Sequence, residues 1–244
     1  ITTLRSSHMP KIKFVPGFPE LKDIAPLPES ATKNVPAWYK EQPSMIDDKL
    51  EDGTLKLTVK KCQAFFDAMA LGYMLKMPVD IYIDATGPTL DVQIPKELEK
   101  MRAMILSQHS KEQVSHLPID EDLYMPNILR IHPTWLAQTE PGYSTLFLSP
   151  LHSDGYPLKA VEAIIDTDSF TSDGHLSFFV KKGFKGILKQ GTPLAQIFPF
   201  KREDWEMEID KDYSPALIQQ QRVDVRSTFQ NGYKLKHWVK KTFK

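Results

Sequence analysis

Two hydrophobic spacings alternate along the chain, and the changes from one to the other predict its elements. Lys11-Ile-Lys-Phe-Val15 and Leu55-Lys-Leu-Thr-Val59 carry apolar residues at every second position, the period of a half-buried strand. The period then changes. Cys62, Phe65, Phe66, Met69 and Tyr73 recur at i, i+3, i+4, i+7 and i+11, one apolar face of a helix that should end near Gly72, with Cys62 as a small buried residue of that stripe. Strand spacing returns in Val79 to Ile83 and Thr89 to Ile94, which bracket Ala85-Thr-Gly-Pro88 as a hairpin. Leu98, Met101 and Ile105 predict a short helix after Pro95, and Ser107 to Met125 reads as the most irregular stretch. From Ile128 to Phe200 the apolar runs are short and punctuated by Gly, Pro, Asp or Ser. They are Leu129 to His132, Thr145 to Leu148, Val161 to Ile165, His175 to Val180, and Pro193 to Phe200. Turn-separated runs of this kind predict a compact antiparallel barrel or sandwich. Ser214 and Pro215 then supply a cap and a first-turn proline for a helix over Ala216 to Gln221.

Pro16, Pro19, Pro26, Pro28, Pro36 and Pro43 forbid long helices and central strands near the start. That segment is expected to run extended over the core, pinned by Trp38 and Tyr39, which as exposed aromatics would also suit an interface between copies. The organisation expected is therefore a vector-derived tag over 1–8, a proline-rich arm over 9–54 packed on the core, and a single β-rich domain over 55–244. The fold class is α+β, mostly β, with a few short helices.

Composition narrows the classes of function. Lys plus Arg (31) equals Asp plus Glu (31), so no overall field draws the chain to nucleic acid or an acidic membrane. Lys234, Lys236, Lys240, Lys241 and Lys244 make the tail basic, and a solvated, frayed terminus is the simplest reading of it. Cys62 is the one cysteine, which excludes an intramolecular disulfide and fits a reducing, cytoplasmic setting. No apolar run is long enough to span a bilayer. Phosphate-loop, dinucleotide, zinc-protease and nucleophile-elbow motifs are all absent.

The most informative stretch is Ala163-Ile-Ile-Asp-Thr-Asp-Ser-Phe170, followed by Gly191-Thr-Pro-Leu-Ala-Gln-Ile197. It resembles the late motifs of the dUTPase and dCTP deaminase group, where a strand ends in an Ile-Asp-x-Asp-aromatic turn and a later Gly-x-x-Ile-Ala-Gln segment closes a trimeric site. The resemblance implies a β-clip core, an orienting acid at Asp166, an aromatic stacking surface at Phe170, and the turn glycine and strand glutamine at Gly191 and Gln196. Two departures bear on activity. Pro141-Gly-Tyr-Ser144 carries no arginine where the group has Pro-Arg-Ser-Gly, and the glycine-rich C-terminal lid is absent, so hydrolysis of a triphosphate would lack its phosphate clamps. More broadly, the proline-rich arm with Trp38-Tyr39, Lys61-Cys62, Asp67-Ala-Met69, Gly72-Tyr73, Asp166-Thr-Asp168 and Arg202-Glu-x-Trp205 resemble an uncharacterised domain family of bacteria and tailed phages.

These observations predict a small-ligand, nucleotide-type binding protein without an assigned cofactor, with Asp166 as the acid of any chemistry. Asp168, Phe170, Tyr143, Ser144, Gly191 and Gln196 would line the pocket, where strand ends and glycine-permitted backbone let polar groups converge. The same acids could instead serve only as turn hydrogen-bond acceptors. One alternative is a non-enzymatic structural or interaction protein, phage-encoded and working in the host cytoplasm. Another is a non-haem iron oxygenase built on His152-Ser-Asp154, whose His-x-Asp spacing opens a facial triad that a distal histidine, His175 or His237, would have to complete. A homo-oligomer is expected, on the proline arm and the trimeric resemblance.

Overall fold

The structure, a computed structural model, describes residues 9–51, 53–153, 155–171, 176–211 and 215–243, and only the backbone of 226–230. In chain order, strand β1 (Ile12–Pro16) ends at its own proline. After it the arm is more folded than its prolines predict. It holds a 3-10 turn begun by Pro19, the two-residue strand β2 (Glu29–Ser30), a second 3-10 turn from Ala31 to Asn34, and the one-turn helix α1 (Ala37–Glu41) after Pro36. Proline's fixed φ suits the first turn of a helix, and its missing N–H costs nothing there.

Strands β3 (Met45–Lys49) and β4 (Leu55–Leu57) pair, and Thr58 caps the following turn by accepting a hydrogen bond from the Lys60 N–H at 3.2 Å. Helix α2 (Gln63–Ala70) fulfils the periodicity, except at its two ends. Cys62 is its N-cap, and it is exposed instead of buried because the stripe begins one turn later. Tyr73 lies beyond Gly72, at the start of strand β5 (Tyr73–Lys76). Gly72 has φ +70°, and a Cβ there would stand 2.0 Å from the Ile197 carbonyl oxygen, so only glycine permits the chain to pass from helix to strand this close to its neighbour.

Strands β6 (Ile81–Asp84) and β7 (Asp91–Gln93) form the expected hairpin, and Pro95 opens a 3-10 turn that runs into α3 (Arg102–Ile105). The stretch read as irregular contains β8 (Leu106–His109) and a turn closed by a Ser110–Gln113 capping box. Next come β9 (Tyr124–Ile131), β10 (Trp135–Thr139), β11 (Tyr143–Leu148), β12 (Leu158–Ala160), β13 (Ala163–Ile165), β14 (Leu176–Lys181), β15 (Lys185–Leu188) and β16 (Pro193–Lys201). Helices α4 (Pro215–Gln230) and α5 (Gly232–Lys236) follow, the first extending well past the predicted Gln221.

Every strand pairing is antiparallel. The sheets run β13-β11-β16-β5-β2, β12-β14-β9-β8, β15-β6-β7, β1-β10 and β3-β4. Among the described residues they do not close into a barrel.

The chain forms two compact units, 1–30 with 72–202, and 31–71 with 203–244. In the first unit Ile81, Ile83, Leu129, Ile131, Phe178 and Ile197 are fully buried in one continuous apolar core, to which the two larger sheets and the hairpin all contribute. In the second, the helical stripe finds its cover in the arm: Phe65, Phe66 and Met69 pack with Val35 and Tyr39. Tyr39 stacks on both phenylalanines and is 5% exposed, so it is spent inside this cluster, while Trp38 keeps a half-exposed edge. The basic tail is anchored, since Trp238 Nε1–H donates to Asp67 at 2.8 Å and Lys241 pairs with the same carboxylate at 2.7 Å.

No helix among the described residues is long and apolar enough to cross a membrane.

Candidate functional site: the two ends of strand β11

Strand β11 lies between β13 and β16, with Ser144 opposite Phe200 and Leu148 opposite Gln196. The residues singled out by sequence divide between its two ends. At the first end, Gly142 takes φ +89° and turns the chain from β10 into β11, which sets Tyr143 and Ser144 beside the turn that leaves β13. That turn is built as its sequence predicts: the Ser169 and Phe170 N–H groups both donate to the Asp166 carbonyl, at 3.1 and 2.8 Å. Beneath it runs a buried hydroxyl chain, with Thr167 Oγ1 2.8 Å from both Thr139 Oγ1 and Thr145 Oγ1.

The arginine that Pro141-Gly-Tyr-Ser144 lacks comes from elsewhere in the chain. Arg202 follows the last residue of β16, where Lys201 pairs with Tyr143, and its guanidinium therefore reaches across the end of the ladder. Nη1 donates to the Tyr143 carbonyl at 2.9 Å, to Ser144 Oγ and Asp168 Oδ1 at 3.0 Å, and to Asp166 Oδ1 at 3.3 Å, while Nη2 donates to Asp168 Oδ2. The Ser144 hydroxyl donates to Asp166 Oδ1 at 2.6 Å, and the Gly142 N–H to Asp168 Oδ2 at 2.8 Å. Held by Arg202 and then by the Gly142 N–H, the Asp168 carboxyl is lowered to about 2. Asp168 is only 8% exposed and has both oxygens engaged, whereas Asp166 is 60% exposed and engages its neighbours through Oδ1. Phe170, half exposed, lies in a shallow apolar crease with Trp135, Leu136 and Ile165.

Gly191 and Gln196 do not join this group. Gly191, at φ +82°, turns the chain before β16 begins and donates its N–H to the Met77 carbonyl at 3.0 Å, at the opposite end of the strand from Arg202. Gln196 is buried, and its Oε1 accepts the Leu151 N–H at 3.0 Å. It thus fixes the loop that leaves the other end of β11.

No protein-family model, curated protein or solved structure matches the chain. The geometry alone therefore distinguishes the two ends.

At that second end, the loop from Ser149 to Tyr156 and the edge of the β12-β14-β9 sheet enclose a concavity of about 420 Å³. Its rim carries His152, Lys159, Lys181 and Glu162, and Tyr124 and Tyr156 supply aromatic walls. Ser149 Oγ accepts the Ala160 N–H at 2.8 Å, which ties the loop to β12. His152 sits at φ +57°, the one non-glycine with positive φ among the described residues. Such a conformation costs about 1–2 kcal/mol and tends to mark functional loops. Lys159 and Lys181 form no ion pair among the described residues, although other exposed lysines, including Lys56, Lys185 and Lys189, do. The Tyr156 hydroxyl is buried without a hydrogen-bond partner among the described residues, and burial raises its pKa.

Asp154 and His175 fall outside the described residues. Among those described, no three His, Cys, Asp or Glu side chains converge as a metal site.

Proposed function

We propose that the protein binds a small anionic ligand, with nucleotides the first class to test, in the concavity between the 149–156 loop and the β12-β14-β9 edge, and that it does so without hydrolysing the ligand. The observation that carries this reading is the pair of lysines, Lys159 and Lys181, which have no ion-pair partner among the described residues, on the rim of a concavity of about 420 Å³. Ligand sites of this kind combine apolar or aromatic walls with a few convergent polar groups. His152 lines the same concavity, on a loop that Gln196 holds in place through the Leu151 N–H.

A β-clip core related to the dUTPase group is part of the same proposal. Its support is the register that sets the Ile165-Asp166-Thr167-Asp168 turn against β11, and β11 against the Ala195-Gln196-Ile197 strand. Hydrolysis is left out for a chemical reason. Among the described residues Arg202 is the cation nearest the two acids, and its Nη1 and Nη2 are already engaged by both carboxylates and the Tyr143 carbonyl, so clamping a phosphate would compete with these internal pairs. Asp166 would then hold the turn and could at most orient a ligand hydroxyl.

A thermal-shift screen with deoxynucleotides, ribonucleotides, and 2-oxoglutarate with Fe(II) tests the reading. A ligand present at a hundred times its dissociation constant adds about 2.7 kcal/mol of stability. The expected result is a rise in Tm with one anionic class that disappears in Lys159→Glu/Lys181→Glu. A rise that needs Fe(II) would favour the His152-x-Asp154 oxygenase instead. No rise with any ligand would favour a non-enzymatic structural or interaction protein.

A further inference from the structure

Residues 204–209 read Asp-Trp-Glu-Met-Glu-Ile, an unbroken alternation of acids and large apolar side chains. The segment has no regular secondary structure and makes no hydrogen bond, ion pair or ring contact among the described residues. Trp205 is 89% exposed, Met207 84% and Ile209 71%. Drawn out as a strand, the segment would carry these three as an apolar stripe on one side and Asp204, Glu206 and Glu208 as an acidic stripe on the other, because side chains two apart then point to one face. A simple connector would have no need of such an alternation. It is the pattern of a strand whose neighbour is missing.

A complementary edge exists on β1. Among the described residues its only strand neighbour is β10, and the Gly17 N–H bond to the Thr134 carbonyl sets the phase of that ladder. Odd-numbered residues of β1 thus bond to β10, and Ile12 and Phe14 turn their N–H and C=O groups outward, where they are unpaired among the described residues. Ile12 and Phe14 point their side chains toward the core, while Lys11 and Lys13 are exposed and their ammonium groups form no ion pair among the described residues, although the Lys11 N–H donates to Glu140 Oε1 at 3.1 Å.

We infer that residues 204–209 of one copy add as a strand to the free edge of β1 in a second copy, reciprocally about a two-fold axis. Antiparallel pairing with Trp205 opposite Phe14 puts Glu206 opposite Lys13, Met207 opposite Ile12 and Glu208 opposite Lys11. The outward amides and carbonyls of Ile12 and Phe14 then bond to those of Met207 and Trp205, the apolar stripe covers the core-side margin, and each glutamate faces a lysine on the solvent side. Charge complementarity selects β1 over β15, whose Lys185 and following Lys189 are already paired with Asp84 and Asp80.

Light scattering on the full chain should give twice the 27.9 kDa chain mass. Glu206→Lys/Glu208→Lys should weaken the association at least about tenfold, since it places like charges opposite one another, and adding Lys11→Glu/Lys13→Glu should restore it. Circular dichroism checks that each variant keeps its fold, and these residues are exposed enough to be changed without disturbing it. In a Cys62→Ser background, Ile12→Cys with Met207→Cys should yield a disulfide between copies under oxidation. A monomer at every concentration, a dimer indifferent to the glutamate reversals, reversals that the lysine changes fail to rescue, or a cross-link formed within one chain would each overturn the inference.

Discussion

The two ends of β11 carry comparable numbers of charged residues and differ in how those charges are spent. At the Ser144 end, Asp168, Arg202 and Gly142 satisfy one another, and Ser144 both donates to Asp166 and accepts from Arg202. Such a knot joins β10, β11, the turn after β13 and the end of β16. At the Leu148 end, Lys159 and Lys181 have no counter-ion among the described residues, His152 is held in a strained conformation, and the walls enclose space. The contrast teaches that proximity of acids and a base is weak evidence for a site when each already has an internal partner. Unspent polar groups around a concavity are stronger evidence, because a ligand there replaces water without having to break an existing pair.

Five variants test whether the contrast holds. The largest effect is expected from Lys159→Glu/Lys181→Glu, which should lower affinity for an anionic ligand about a hundredfold, roughly tenfold for each charge-assisted contact, and leave Tm without ligand nearly unchanged. Titration calorimetry measures it. If Asp166→Asn abolishes binding and the lysine reversals do not, the assignment of the two ends is inverted. Gln196→Ala should cost about 1–3 kcal/mol in urea denaturation, because it removes the acceptor from a buried part of the loop, and it should weaken binding as well.

Asp168→Asn should act on stability alone. The folded-state carboxyl lies below the ordinary 3.8, so its contribution is fully present above that value and is lost as pH falls toward about 2. Melting curves of the wild type should therefore lose stability between pH 4 and 2 relative to Asp168→Asn, whose Tm should be lower at neutral pH and flatter across that window, with ligand affinity unaltered. The smallest effect is expected from His152→Gly, which should change stability by no more than about 1 kcal/mol, because relief of the left-handed strain offsets the added chain entropy. A measurable drop in ligand affinity in the same variant would place the imidazole at the ligand.

Much of this arrangement was legible in the chain, and the gaps have identifiable causes. The period change between Val59 and Phe65, the hairpin around Gly87 and Pro88, and the strands at 145–148 and 193–200 follow from local spacing, since which face of an element is apolar is decided within a few residues. The approach of Asp166 to Ser144 was likewise readable from motif order. Strands β10, β12 and β15 were not, because Trp135 to Thr139 mixes apolar and polar residues without clear alternation and the other two are very short. Arg202 was quoted in its Arg-Glu-x-Trp run, yet nothing local connects it to residues 142–144. Only the register of β11 against β16 does so.

The sequence by itself determined that the chain is β-rich, that its strands pair antiparallel, and where its one well-patterned helix lies and ends, near Gly72. Tertiary structure alone decided which polar groups meet. It gave Arg202 to Asp168, sent Gln196 to the Leu151 amide instead of to Asp166, sank Tyr39 against Phe65 and Phe66, and left Lys159 and Lys181 without acids among the described residues. The physical reason is range: hydrophobic periodicity is a property of neighbours along the chain, whereas the partner of a charge is chosen by strand register between segments tens of residues apart, and a shift of one residue in that register would have exchanged every pair.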